Sequence, residues 1–281
     1  MIVVVDALNK HRFGDLLTEM HRLRARVFEG RLGWEVNVED GCERDEFDNL
    51  DPAHVIALDD DGHVVGCMRL LQTTGPHMLS DVFHSILDGA PPLRNAQLWE
   101  ATRFCVDTNR LGRGLSRNSI SYVTSEVMIG AFEYAQKAGV LDAVAVIDPV
   151  MDRVLKRSGN APYDYVGTAK PMGKVTAMAA LMDCSDARIS AIRAYAGIDH
   201  DVFTPEDKVR AAFDRAMGKS ILQQQGESMP ETALEVYLRD LIENADSVEE
   251  QTAALALSAE LASKLGKHRD LPETADIHRL A

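Results

Sequence analysis

Arginines and carboxylates gather in this chain at places where charge is costly. Arg22, Arg24, Arg26 and Arg31 crowd one short segment with Phe28 and Trp34, and Glu43, Asp45 and Asp48 follow. Downstream, Arg69 sits inside the apolar run Gly66 to Leu71, and Glu100 and Arg103 interrupt the apolar run Trp99 to Phe104. Large aromatics seek burial and charges resist it, so their mixture marks a binding site or a solvated helix face beside an acidic loop. Taken together, the three charged segments suggest one shared acid–base cluster. Arg24 would also suit a helix C-terminus, where a cation is favoured for its own sake.

The elements that must position these groups follow from periodicity. Ile2 to Val5 reads as a short strand, and Leu8 to Val27 has helical spacing with Phe13, Leu16, Leu17, Met20 and Leu23 on one face. Gly30 to Asp51 has few periodic apolars and reads as a long excursion, functional or mobile as such loops usually are. His54 to Leu58 and His63 to Leu71 alternate around Asp59-Asp60-Asp61-Gly62, a hairpin signal that puts Arg69 on the second strand. Met78 to Leu87 reads as a helix, ended by Pro91-Pro92, with Phe83 on its apolar face. Leu98 to Val106 is the next strand. A flat strand would put Glu100 and Arg103 on opposite sides, so a bulge is expected there.

Beyond it, Gly112 and Gly114 precede a helix from Ser116 to Ala138, a turn able to offer backbone N–H groups to an anion. Leu141 to Ile147 reads as a buried strand, Val150 to Ser158 as a helix with Pro149 at its start, and Tyr163 to Ala169 and Val175 to Met182 as closing strands. Helical texture then runs over Ala187 to Ala196, Pro205 to Met217, Glu231 to Asn244 and Val248 to Leu265, with a linker at Gly218 to Glu231. From Glu227 to Ala281 there are five basic and twelve acidic residues.

The order and spacing of Arg24, Phe28, Trp34, Glu43, Asp45, Asp48, Arg69, Glu100 and Arg103 resemble the acyl-homoserine-lactone synthases, the LuxI-type autoinducer synthases. The resemblance covers roughly Met1 to Lys174 and implies an α/β (α+β) fold, an N-acetyltransferase-like mixed central sheet flanked by helices. It implies residues 1–184 as the synthase domain and 185–281 as a helical C-terminal extension that the family usually lacks. It implies acyl transfer from an acyl-carrier-protein or acyl-CoA thioester to the amine of S-adenosylmethionine, then lactone closure with loss of methylthioadenosine, which yields a quorum-sensing signal.

Under that resemblance Glu100, Asp48 and Arg24 are the catalytic candidates, with Glu100 taking the proton of the amine directly or through a water. Phe28, Trp34, Asp45, Arg69, Arg103 and Phe104 would bind substrate, and Glu43 and Phe83 would support the site. Backbone N–H groups near Arg103 to Val106 would meet the thioester oxyanion. S-adenosylmethionine is a substrate, and no cofactor is expected. Arg153, Lys156, Arg157, Lys170 and Lys174 stand against Asp152 and Asp164, a local reversal of charge in which Arg153, Lys156 and Arg157 could dock an acidic carrier. The family tends to carry Thr in the strand Ala143 to Asp148 when it takes 3-oxo chains; this strand has none, so the resemblance implies an unsubstituted or otherwise modified acyl chain.

Composition bounds the rest. A net charge of −14 over 281 residues disfavours nucleic acid and anionic lipid as bulk partners. The four cysteines form no Cys-x-x-Cys pair and no His-Glu-x-x-His occurs, so no metal site is expected and a reducing cytoplasm suits the chain. No apolar run approaches membrane-spanning length. The C-terminal helices could drive homo-oligomerisation or cover the core. Two other functions stay open: a coenzyme A-dependent N-acyltransferase of the same fold, and a non-catalytic acyl-carrier or metabolite-binding module.

Overall fold

A computed structural model describes residues 1–112, 119–173 and 175–218. The chain divides into a body, Met1–Lys219, and a second unit, Ser220–Ala281, which lies outside the described residues. The expected linker and the helices Glu231 to Asn244 and Val248 to Leu265 therefore lie outside them too, as do Arg113, Gly114, the first residues of the helix expected from Ser116, and Lys174.

In chain order the body has β1 (Ile2–Val5), α1 (Gly14–Ala25), β2 (Val38–Glu39), β3 (Cys42–Glu43), β4 (Ala53–Leu58), β5 (Val64–Gln72), α2 (Met78–Asp81), β6 (Leu98–Val106), α3 (Ile120–Lys137), β7 (Asp142–Ile147), α4 (Pro149–Arg157), β8 (Asp164–Met172), β9 (Val175–Asp183), α5 (Asp186–Ala196) and α6 (Glu206–Ala216). Seven strands form one mixed sheet in the order β1-β4-β5-β6-β7-β9-β8, and β2 pairs with β3 apart from it. The fold is the α/β arrangement that the resemblance implied, a mixed central sheet flanked by helices.

Each face of the sheet buries its own core. On one face α3 and α5 cover Val55, Val65, Ala143 and Ala180, with Ile129, Ile189 and Ile192 among the buried side chains. On the other, α1 sets Leu16, Met20 and Leu23 against Val5, Ile56 and Cys67, and Val209 and Phe213 of α6 join them. Residues 185–218 thus continue the same packed body: α5 and α6, read from sequence as the start of an extension, contribute to both cores. Their amphipathic spacing is visible in the sequence, but their partners lie far along the chain: α5 packs on α3, and α6 against the β4–β5 turn.

One irregularity shapes the centre of the sheet. β6 runs antiparallel to β5 but parallel to β7, and its pairing with β7 covers only Leu98–Asp142, Trp99–Ala143 and Glu100–Val144. Past Glu100 the two strands part, because β7 turns its remaining residues only to β9. On its other edge β6 bulges: Thr102 faces Arg69 and Cys105 faces Cys67, so Arg103 and Phe104 together oppose Met68. Arg103 takes φ +51, the left-handed region, which supplies the bend expected from its spacing with Glu100.

Among the described residues no helix is long and apolar enough to cross a membrane. The β4–β5 turn also locks α6 in place. Gly62 has φ +90, and a Cβ there would lie 2.2 Å from the Ala212 carbonyl oxygen. Gly62→Ala should therefore cost about 1–3 kcal/mol from the strained backbone, plus the displacement of α6. A melting temperature equal to that of the parent would remove α6 from the body.

Candidate active site

The charged segments meet on the α1 face of the sheet. Arg24 lies on the last turn of α1, sealed from solvent. Its Nε donates to Glu43 Oε2 at 2.5 Å, and its Nη1 and Nη2 donate to Asp48 Oδ1 and Oδ2 at 2.8 and 2.9 Å. Arg69, equally buried on β5, donates from Nη1 to Asp48 Oδ1 at 2.8 Å and from Nη2 to Asp45 Oδ2 at 2.9 Å, and Nη1 also meets Asp45 Oδ1. Its Nε reaches Thr102 Oγ1 at 3.0 Å across the strand pair. Arg103, swung onto this face by the bulge, donates to Glu43 Oε1 at 3.0 Å and pairs with Asp45 Oδ2 at 2.6 Å. Three arginines and three carboxylates thus close on one another. Such a cluster tolerates burial because every charge finds opposite charge and directed hydrogen bonds.

The carboxylates are placed by a compact turn. Glu46–Leu50 forms a 3-10 turn whose entry is capped on both sides: Asp45 accepts from the Phe47 amide, and Asp48 accepts from the Asp45 amide. Phe47 is buried beneath, with the Arg69 guanidinium 5.7 Å above its ring. The Gly30 to Asp51 excursion is therefore a hairpin, β2–β3, followed by this turn, and it delivers Glu43, Asp45 and Asp48 in succession. Burial alone would raise the Asp48 pKa, but the Arg24 hydrogen bonds and the charges of Arg24 and Arg69 hold it far below the carboxylate range. Burial likewise opposes the charge on Arg24, and Asp48 and Glu43 outweigh it.

α1 does not end at Ala25 but widens into a π turn over Arg26–Arg31. That turn carries Phe28 inward and Trp34 to the surface, with the two rings stacked at 5.3 Å and 8°. Trp34 is 40% exposed, Phe28 is buried, and Arg103 sits 5.7 Å from the Phe28 ring. Arg31 ties the same turn to the end of β6 by donating to the Val106 carbonyl at 3.3 Å.

Glu100 is fully buried on the network's face, but its partners are not arginines. Oε2 accepts from the Met78 amide at 2.7 Å and Oε1 from the Leu79 amide at 2.8 Å. Burial pushes its pKa up to about 7, against the pull of those two amides and of Arg69. The expected helix Met78 to Leu87 is two turns, α2 and a 3-10 turn at His84–Leu87, and Glu100 holds the first of them. Met78 completes the site: its sulfur lies 3.3 Å from Arg69 Nη2 and 3.4 Å from Arg103 Nη1.

Phe83 links two apolar groups, one with Phe47, Leu71 and Met78 and one with Leu79, Ile86 and Val144. Phe104 packs instead at the edge of the α3-side core. The bulge that turns Arg103 toward the network leaves Phe104 on the far face, so its ring does not join the charged cluster. Arg153, Lys156 and Arg157 are exposed on α4, and Lys156 is occupied by Asp152 at 2.8 Å. Ser119 caps α3 by accepting from the Tyr122 amide; the rest of the Gly112 to Gly114 turn lies outside the described residues.

Phe47, Met78 and Thr102 entered no expectation of the site. Thr102 carried a signal, its two-residue spacing from Glu100 on the strand; the other two carried none. Two neutral histidines lie beneath the network. Burial lowers His21 to about 4 and His54 to about 3, and their rings meet edge to face at 6.0 Å.

A mixed sheet whose parallel pair parts beside a buried carboxylate and a closed charge network places a candidate proton acceptor at an open strand edge, an arrangement suited to acyl transfer. Comparison with known proteins makes that specific. Residues 9–192 match the autoinducer synthase family model. A probable acyl-homoserine-lactone synthase of Sinorhizobium fredii is 40% identical over 164 residues, covering 58% of this chain and 78% of that one. The acyl-homoserine-lactone synthase of Agrobacterium fabrum is 35% identical over 178 residues, covering 63% and 83%. Among solved structures, the CoA-dependent acyl-homoserine lactone synthase MesI superposes with a TM-score of 0.61 at 28% identity, covering 72% of this chain and 98% of that one. BjaI, with SAM and isopentyl-CoA, gives 0.63 at 25%, covering 75% and 98%. The chain belongs to the autoinducer synthase family and is an acyl-homoserine-lactone synthase.

Two outcomes follow from the network. Glu43→Gln should cost about 3–5 kcal/mol in chemical denaturation, because it leaves Arg24 and Arg103 short of charge in a dry site. The second is a dependence on pH. Between pH 4.5 and 6.5 an unfolded chain protonates His21 and His54, while the native chain keeps both neutral and binds one proton on Glu100. The unfolded state therefore holds one proton more from these groups, and their contribution to stability should fall on acidification by about 1.4 kcal/mol per pH unit. Replacing both histidines by Gln should flatten or invert that slope in denaturant titrations.

Proposed function

We propose that the network and Glu100 divide the chemistry between them. S-adenosylmethionine carries an ammonium, a sulfonium and a carboxylate, one net positive charge. Arg24, Arg69 and Arg103 balance Glu43, Asp45 and Asp48, so an ionised Glu100 leaves the site one negative charge, complementary to that substrate. Asp45 and Arg103 are the network's most exposed members, at 17% and 13%, and face the ligand: Asp45 toward its cations, Arg103 toward its carboxylate. The Phe28–Trp34 stack offers an aromatic face to the adenine. Arg24 and Asp48 hold these groups rigid from behind.

The methionyl amine must lose a proton before it attacks the thioester carbonyl. Glu100 takes that proton, directly or through a water, and a carboxyl near pH 7 matches the task. Backbone N–H groups of β6 past Glu100, on the edge that β7 has left, stabilise the oxyanion. As the tetrahedral intermediate collapses, the attacking nitrogen gives up a second proton, the carbonyl C–S bond breaks with its electron pair on sulfur, and the thiol departs with one proton; the amide forms and the other proton passes to solvent. The substrate's carboxylate then attacks the carbon beside the sulfonium, the C–S bond breaks, and methylthioadenosine leaves with the bond's electron pair. Nucleophile and leaving group share one molecule, so closure needs positioning above all. No cofactor enters these steps.

The acyl chain runs over Val144 and Val146, beneath Leu79 and Phe83, on the same face as Glu100. The observation that carries the whole reading is the convergence of Arg24, Arg69, Arg103, Glu43, Asp45 and Asp48 beside Glu100 at the parting of β6 and β7. For the donor, the CoA dependence stated for MesI and BjaI supports acyl-CoA. The exposed basic residues of α4, Arg153 and Arg157 foremost, support docking of an acylated carrier protein as a second reading. Four buried free cysteines suit a cytoplasmic enzyme.

Purified protein given S-adenosylmethionine and a panel of acyl-CoA and acyl-carrier thioesters should release lactone and methylthioadenosine together by mass spectrometry. Glu100→Gln should lower kcat by about 10²–10⁴-fold. Acyl transfer to other amines without methylthioadenosine would replace this reading with a general N-acyltransferase.

A further inference from the structure

The apolar region beside Glu100 ends at a contact between two backbones. Ile86 and Leu87, on the 3-10 turn His84–Leu87, are buried with Leu79, Val144, Ala177 and Ala179. β8, the edge strand, crosses this turn at a bulge. Val166 faces Ala179 and Lys170 faces Ala177, so β8 advances by more residues than β9 over the same span. Within the bulge Gly167 has φ +63, and a Cβ there would stand 1.8 Å from the Ile86 carbonyl oxygen. Strand and turn therefore touch main chain to main chain, which glycine alone permits.

A second pin closes the rim. Asp88 ends the turn with φ +53, accepts from Thr168 Oγ1 at 2.9 Å and pairs with Lys170 Nζ. Both pins lie on the bulge, and both act on the same turn. The other end of this segment is fixed differently, by Glu100 on the Met78 and Leu79 amides. The lining between the two ends is apolar, and its floor on β9 is alanine at 177 and 179, side chains that take little of the space above the strand.

We propose that this latch, Gly167 against Ile86 with Thr168 and Lys170 on Asp88, is the closed end of the acyl pocket and sets the longest acyl chain the enzyme accepts. The inference rests on the reading above, in which the thioester lies at the parting of β6 and β7 and its chain runs under Leu79 and Phe83. With the turn latched, Ile86 and Leu87 block the floor. With it released, the turn lifts and the alanine floor lies open to further methylenes. The charged network is untouched, so binding of S-adenosylmethionine is independent of the latch.

The test compares kcat/KM for straight-chain thioesters from butanoyl to tetradecanoyl, carried on coenzyme A or on an acyl carrier according to which the parent accepts, in the parent, Asp88→Asn, Lys170→Met and Gly167→Ala, with lactone read by mass spectrometry. The variants should gain relative activity on thioesters longer than the parent's best, by about tenfold for the first pair of added carbons. The KM for S-adenosylmethionine should stay at the parent value. A uniform loss across all lengths, or an unchanged profile, overturns the proposal. Should Gly167→Ala not fold, the partly exposed Asp88 and Lys170 decide alone. Lactone from the parent with an unchanged variant profile fails only the latch; no lactone from any thioester fails the functional reading beneath it.

Discussion

Three guanidinium groups face three carboxylates in direct hydrogen-bonded contact, largely sealed from solvent, and the rest of the body is arranged to make that possible. Arg24 and Arg69 are wholly sealed, and Glu43 with them. Burying an ion costs several kcal/mol after relaxation, and two opposed ions recover that only with good geometry and saturated hydrogen bonds. Here each guanidinium uses several of its N–H groups, two of them on both oxygens of one carboxylate. The network specifies more than it stabilises. A one-residue slip of β5 or β6 would strand a charge, so register and network fix one another.

The sheet supplies two departures from regularity that the network needs. The bulge at Arg103 moves a residue from the wrong face to the right one, at the cost of a left-handed backbone in a non-glycine residue. The salt bridges to Glu43 and Asp45 offset that strain. The parting of β6 from β7 follows from mixing a parallel pair with antiparallel neighbours: β7 is held along its length by β9, while β6 is held along its length by β5. Each strand follows its better partner, and a wedge opens between them. The carboxyl of Glu100 stands at its apex, where the last parallel pair ends.

Much of this was legible in the sequence because a charge inside an apolar strand is conspicuous. Arg69, Glu100 and Arg103 stood out for that reason, and the parity of Glu100 and Arg103 was enough to demand the bulge. What stayed illegible depends on partners that carry no side-chain signature. Glu100 binds main-chain amides, so nothing in residue type announced Met78 and Leu79. The helix read over Met78 to Leu87 breaks because Glu100 grips its first turn and β8 its second, and neither contact is local. Phe104 was drawn to the site by its neighbour; the backbone flip at Arg103 sends it to the other face. α5 and α6 looked like an appendage because their partners, α3 for the one and the β4–β5 turn for the other, are distant in sequence.

The segment from Met78 to Asp88 joins two kinds of recognition that obey different physics. Its first turn is bound to Glu100 and lays Met78 against Arg69 and Arg103, so it belongs to the rigid, charge-specified half of the site. Its second turn is held by an exposed ion pair and one backbone contact, over a floor of alanines. Charged recognition tolerates little variation, because each lost partner leaves a buried ion. An apolar recess tolerates a great deal, because a methylene more or less changes only area. A single segment tied hard at one end and lightly at the other therefore keeps the amine-bearing substrate constant while leaving the acyl end free to differ.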